Sequence, residues 1–142
     1  MKIGFPSILL VEDNPDDEKM TLRALAKSDP APDVEVVRDG PAAIEYFFGS
    51  EVHALPSLVL LDLKLPMLNG LEVLEQLRGT ERTKKLPIVV LTSSDETPDI
   101  QQAYSLGANS YICKPVEYDK YLHVVELLGL YWLQANRNPN GM

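Results

Sequence analysis

A single cysteine, Cys113, stands in 142 residues, so no intramolecular disulfide can form and stability has to come from packing. Histidine is nearly as scarce. His53 and His123 have no second His, Cys or acid cluster at ligand spacing, which argues against a zinc site. No apolar run approaches the roughly 20 residues of a membrane span. The opening MKIGFPS is too short and too little apolar for a secretory leader. Basic residues are outnumbered, 13 Lys and Arg against 21 Asp and Glu, for a net charge of −8. That balance argues against nucleic acid or an anionic membrane as the main partner. Taken together, these absences lead us to expect a cytoplasmic protein.

What is present is an alternation. Short apolar, β-rich runs occur at Ser7–Val11, Val34–Val37, Ser57–Asp62, Pro87–Thr92 and Ser110–Cys113. Between and after them lie segments with helical spacing. The first carries Met20, Leu22, Leu25 and Ala26, and the last Tyr121, Leu122, Val124, Val125 and Leu128. Five strands alternating with five helices predict βαβ units and a parallel sheet. The third and fourth strands are continuously apolar, as strands covered on both faces should be. Right-handed crossovers then place helices on both sides. The expected architecture is a flavodoxin-like (βα)5 doubly wound sheet in the order 2-1-3-4-5. Residues 1–142 are read as one domain, with a core at about residues 7–134 and a polar tail at 135–142.

The stretch EDNPDDE, Glu12–Glu18, crowds five acids together. Asn14–Pro15 reads as a helix N-cap and first helical position. Asp16, Asp17 and Glu18 then fall in the first turn, where the helix dipole favours negative charge. Glu12 and Asp13 precede that helix, at the carboxyl end of the first strand, which is the ligand-binding edge of an open parallel sheet. Asp62 ends the third strand, a neighbour of the first in the expected order. Three converging carboxylates raise one another's pKa unless a cation intervenes. Oxygen ligands of this kind suit Mg²⁺, which can also bind a phosphoryl oxygen. Thr92 and Lys114 end the fourth and fifth strands at the same edge. A hydroxyl and an ammonium beside a carboxylate–metal cluster suit a phosphoryl group, with Asp62 as the nucleophile that forms an aspartyl phosphate.

These motifs, ED after the first strand, LLDLKLPMLNG around Asp62, LTS after the fourth and YICKP after the fifth, resemble the receiver domain of the two-component response-regulator family. The resemblance covers about Ser7 to Gln134. It implies that Asp62 is the phosphoacceptor and that Asp13 binds Mg²⁺ directly. Glu12 would act largely through water, and the backbone carbonyl of Lys64 would be a further ligand. It implies that Thr92 and Lys114 contact the phosphoryl group, that Tyr111 is the aromatic switch residue, and that the Lys114–Pro115 peptide is cis. EDNPDD, LLDLKLP and the ending near YWL resemble the single-domain regulators that partner phytochrome-type sensor kinases and often dimerise.

The resemblance implies a signalling phosphoacceptor that catalyses only its own phosphorylation and dephosphorylation. The donor would be a histidine kinase or histidine phosphotransfer protein. With only one helix and a tail after Lys114, output is expected through protein contacts or onward phosphotransfer, and a homodimer is a candidate. The nearly all-round apolar LLGLYWLQ supports a contact surface there. Lys64 and Ser94 lie two residues after Asp62 and Thr92, where side chains can flank attacking water, and Lys64 is expected to slow hydrolysis. A flavin protein of the same fold would need a phosphate cradle where EDNPDD would repel one. A haloacid-dehalogenase-type phosphohydrolase would need an acid at Lys64. The rival from another class is a receiver-like scaffold that works without phosphorylation. Cys113 reads as an inert buried thiol.

Overall fold

The computed structural model describes residues 6–51 and 54–139; His53 lies outside them. Its strands are β1 (Ser7–Val11), β2 (Asp33–Val37), β3 (Leu58–Leu61), β4 (Ile88–Thr92) and β5 (Ser110–Cys113). The helices are α1 (Pro15–Leu25), α2 (Gly40–Phe48), α3 (Gly70–Arg78), α4 (Thr97–Ser105) and α5 (Tyr118–Gly129). A π-helical turn over Leu130–Ala135 continues α5. All strands pair in parallel, in the order β2-β1-β3-β4-β5.

Alternation along the strands builds two cores, because successive side chains leave opposite faces of the sheet. Leu9, Val11, Val59, Leu61, Ile88 and Val90 pack toward α2, α3 and α4, against Phe47, Leu74 and Leu77. Ile8, Leu10, Leu58, Leu60, Val89 and Leu91 pack toward α1 and α5, against Leu25, Tyr121 and Val125. Both faces are covered, which is why β3 is apolar throughout and β4 is apolar up to its last residue, Thr92.

The helix punctuation follows from local chemistry. Asn14 Oδ1 accepts from the backbone N–H groups of Asp16 and Asp17 at 2.9 and 3.0 Å, and Pro15 opens α1. Asn69 and Glu72 form a capping box at the start of α3. Gly107 turns the chain out of α4 at φ 105°, a left-handed backbone that costs a glycine little. Of the apolar set expected on α1, Leu25 is buried and Met20 and Leu22 pack partly buried against the core, with Thr21 and Ala24 completing the buried face. Ala26 is exposed, and Thr21 is accommodated because its hydroxyl bonds the Tyr121 hydroxyl at 3.1 Å. No helix among the described residues is long and apolar enough to cross a membrane.

Candidate functional site

The crossovers bring the ends of β1, β3, β4 and β5 to one edge. Val11 pairs with Leu61, so the next residues, Glu12 and Asp62, emerge side by side. Thr92 is the last residue of β4, and Lys114 follows β5. The four are buried, with Glu12 1%, Asp62 5%, Thr92 0% and Lys114 8% exposed. Asp13 is exposed.

Lys114 Nζ stands at the centre. It donates to Glu12 Oε1 at 2.6 Å, Asp62 Oδ2 at 2.8 Å and Asp17 Oδ2 at 2.8 Å. The other oxygen of Asp62, Oδ1, accepts from the Thr92 hydroxyl at 2.7 Å and from the Lys64 N–H at 3.0 Å. Glu12 Oε2 accepts from the Asn14 N–H at 3.1 Å.

The charges settle unequally over this network. Burial pushes the Glu12 carboxyl up to about 7, with the charge of Asp62 adding to burial and Lys114 only partly opposing it. Burial also acts on Asp62. There the hydrogen bond and charge of Lys114, with the Lys64 N–H and the Thr92 hydroxyl, outweigh it and hold the carboxyl below its ordinary value. Burial disfavours the Lys114 cation, but hydrogen bonds to Asp17, Asp62 and Glu12 raise its pKa above that of an ordinary lysine. Asp62 is thus kept ionised in a nearly dry site, the condition an oxygen nucleophile needs.

Glu12, Asp13 and Asp62 each place a carboxylate oxygen within 4.8 Å of the others. An all-oxygen donor set fits a hard divalent cation and offers nothing to a thiophilic metal. The exposed Asp13 leaves the cluster open to solvent on one side.

Three sequence-based expectations meet the structure differently. Asp17 is not only a first-turn acid, since it reaches Lys114. The spacing 17, 21, 24 sets it on the buried face of α1 with Thr21 and Ala24, a signal legible only once that face is known. The Lys114–Pro115 bond is trans; the cis peptide among the described residues is Asp29–Pro30. Trans is favoured for a prolyl bond by roughly 0.5–1 kcal/mol, and Lys114 reaches its carboxylates with that geometry. Cys113 is exposed, because β5 is an edge strand and its last residue leaves the core. The Tyr111 hydroxyl donates to the Ser94 carbonyl at 2.8 Å, which ties β5 to the segment after β4. Ser94 is itself buried and donates to Asp99 Oδ2 at 2.5 Å, at the start of α4.

The model of the response regulator receiver domain matches residues 8–126. The chain belongs to that family. Among curated relatives, the receiver is 42% identical over 134 residues to the probable methanogenesis regulatory protein FilR2 of Methanothrix harundinacea, covering 93% of this chain and 86% of that one. It is 33% identical over 135 residues to response regulator Rcp1 of Synechocystis, covering 93% and 92%. Among solved structures, the phosphorylated cyanobacterial phytochrome response regulator RcpA superposes with a TM-score of 0.91 at 34% identity, covering 96% of this chain and 99% of that one. The Mn²⁺-bound form of Rcp1 gives 0.90 at 31%, covering 94% and 99%. The receiver fold described above is thus shared with relatives of nearly the same length.

Proposed function

We propose that this receiver accepts a phosphoryl group on Asp62 from a histidine kinase or histidine phosphotransfer protein, with Mg²⁺ held by Glu12, Asp13, Asp62 and the Lys64 carbonyl. The observation that carries the reading is the pair of oxygens on Asp62, each fixed by donors that favour the ionised form: Thr92 and Lys64 N–H on Oδ1, Lys114 on Oδ2. An Asp62 oxygen attacks phosphorus, the O–P bond forms, and the P–N bond to the donor imidazole breaks with its electron pair leaving on nitrogen. Mg²⁺, when bound, would neutralise charge on the phosphoryl oxygens. Thr92 and Lys114, which donate to Asp62 itself, would donate hydrogen bonds to those oxygens. The new group adds about −2 charge beside Thr92, and Tyr111 is the residue through which the segment after β4 would respond. The protein catalyses only its own phosphorylation and dephosphorylation.

Output through a protein contact is supported by Leu127, Leu130 and Tyr131, three large exposed apolar residues on α5 and the turn after it. A homodimer through this patch is the first occupant to test, by sedimentation with and without phosphorylation. A cytoplasmic location fits a partner kinase that reads phytochrome-type or related signals.

The phosphoacceptor is tested by mass spectrometry after incubation with acetyl phosphate and Mg²⁺. One added phosphoryl mass is expected in the wild type and none in Asp62→Asn or without metal. No adduct, together with no binding of beryllofluoride, overturns the proposal in favour of a phosphorylation-independent scaffold.

A further inference from the structure

The proposed chemistry leaves Asp17 unused, yet it is one of the groups that hold Lys114. An ammonium has three hydrogens to donate. In this structure Lys114 bonds Glu12, Asp62 and Asp17, at 2.6, 2.8 and 2.8 Å. Glu12 and Asp62 belong to the carboxylate group that could hold a metal, and Asp17 does not. Its side chain is 22% exposed, against 2% and 6% for Glu12 and Asp62. Asp17 therefore ties Lys114 to α1, whereas Glu12 and Asp62 hold it from the ends of β1 and β3.

A phosphoryl group on Asp62 needs Lys114; the esterified Asp62 loses its charge and gives up its own hydrogen bond first, while Asp17 stays anionic and keeps its hold on the ammonium. A phosphoryl oxygen and Asp17 are both anionic acceptors for the same donor. The negative charge of Asp17 also opposes a second anion in the same small space. Both effects have the same sign.

Resting on the phosphoacceptor reading above, we propose that Asp17 is a positioning residue that holds Lys114 toward α1 and competes with the phosphoryl group for it. Asp17 thereby lowers the stability of the phosphorylated state and sets how readily the receiver returns to rest. The acid sits in the first helical turn, where Asn14 and Pro15 fix the backbone that presents it.

The test is a titration with beryllofluoride at saturating Mg²⁺, comparing wild type, Asp17→Asn and Asp16→Asn. Asp16 is an exposed acid of the same turn, so its variant controls for net charge. Asp17→Asn is expected to tighten beryllofluoride binding roughly three- to ten-fold, the scale of one partly exposed charge-assisted hydrogen bond. The Lys114 Nζ resonance in ¹H–¹⁵N spectra of the metal-free protein is expected to move in Asp17→Asn and stay in Asp16→Asn. An unchanged or weaker affinity in Asp17→Asn, or equal tightening in Asp16→Asn, overturns the competition. Failure of the wild type to bind beryllofluoride overturns instead the phosphoacceptor reading, so the two failures are distinguishable.

Discussion

The Thr92 hydroxyl donates to Oδ1 of Asp62 at 2.7 Å, across the gap between β4 and β3. Two residues beyond Thr92, the Ser94 carbonyl accepts from the Tyr111 hydroxyl. A change at Asp62 thus has a short covalent and hydrogen-bonded route to the start of α4. Thr92→Val keeps the buried shape and removes the donor. It is expected to lower the unfolding free energy by about 1 kcal/mol, read by urea denaturation, while Thr92→Ser retains most of it. In Thr92→Val the NMR shifts that beryllofluoride produces around Ser94 and Tyr111 are expected to shrink. Shifts of wild-type size would show that the response does not pass through Thr92.

Glu12 sets a pH dependence. Its carboxyl rises from 4.5 to about 7 on folding. Between those values the folded state binds more protons than the unfolded one, so metal-free stability falls as pH rises from about 4.5 to 7 and levels off above. Divalent cations need the ionised form, so their affinity is expected to rise over the same window, with proton release below about pH 7. Calorimetry in buffers of different ionisation enthalpy measures both. Glu12→Gln is expected to remove the pH step and weaken the metal together.

Lys64 is exposed, and its backbone N–H bonds Asp62, so its side chain leaves the chain beside the proposed phosphoacceptor. If that side chain screens the phosphoryl group from water, Lys64→Asn should speed dephosphorylation by about two- to five-fold, the range of a weak solvent-exposed charge effect. A phosphate-release assay decides it, and an unchanged rate removes Lys64 from the account.

Gly70 sits against the loop that carries Asp62. A Cβ there would lie 2.3 Å from the Asp62 carbonyl oxygen and 2.6 Å from Leu63 Cα, both backbone atoms with little room to yield. Gly70→Ala is expected to destabilise the fold by about 2–3 kcal/mol, as overpacking does, and to weaken metal binding by displacing Asp62. Gly79→Ala, where the nearest atom is 3.3 Å away, should cost less in the same denaturation experiment.

The strands, their order and the edge that gathers the polar residues were legible in the amino-acid sequence. Period-2 and continuous apolar runs encode burial locally, and parallel pairing then admits few arrangements. Asn14–Pro15 announced α1 by chemistry confined to one turn. Glu12, Asp13, Asp62, Thr92 and Lys114 could be placed together because each ends or follows a strand, and strand ends share an edge whatever the packing details. Asp17 could not be assigned in that way. Whether a first-turn acid faces solvent or a lysine on another element depends on how α1 is rotated against α5, and a buried Thr21–Tyr121 hydrogen bond takes part in that contact. The inequality between Glu12 and Asp62 was equally invisible, since it arises from how many donors each carboxylate meets in three dimensions. Local pattern is written in neighbouring residues. The sharing of one ammonium among acids on β1, α1 and β3 exists only after those elements have packed.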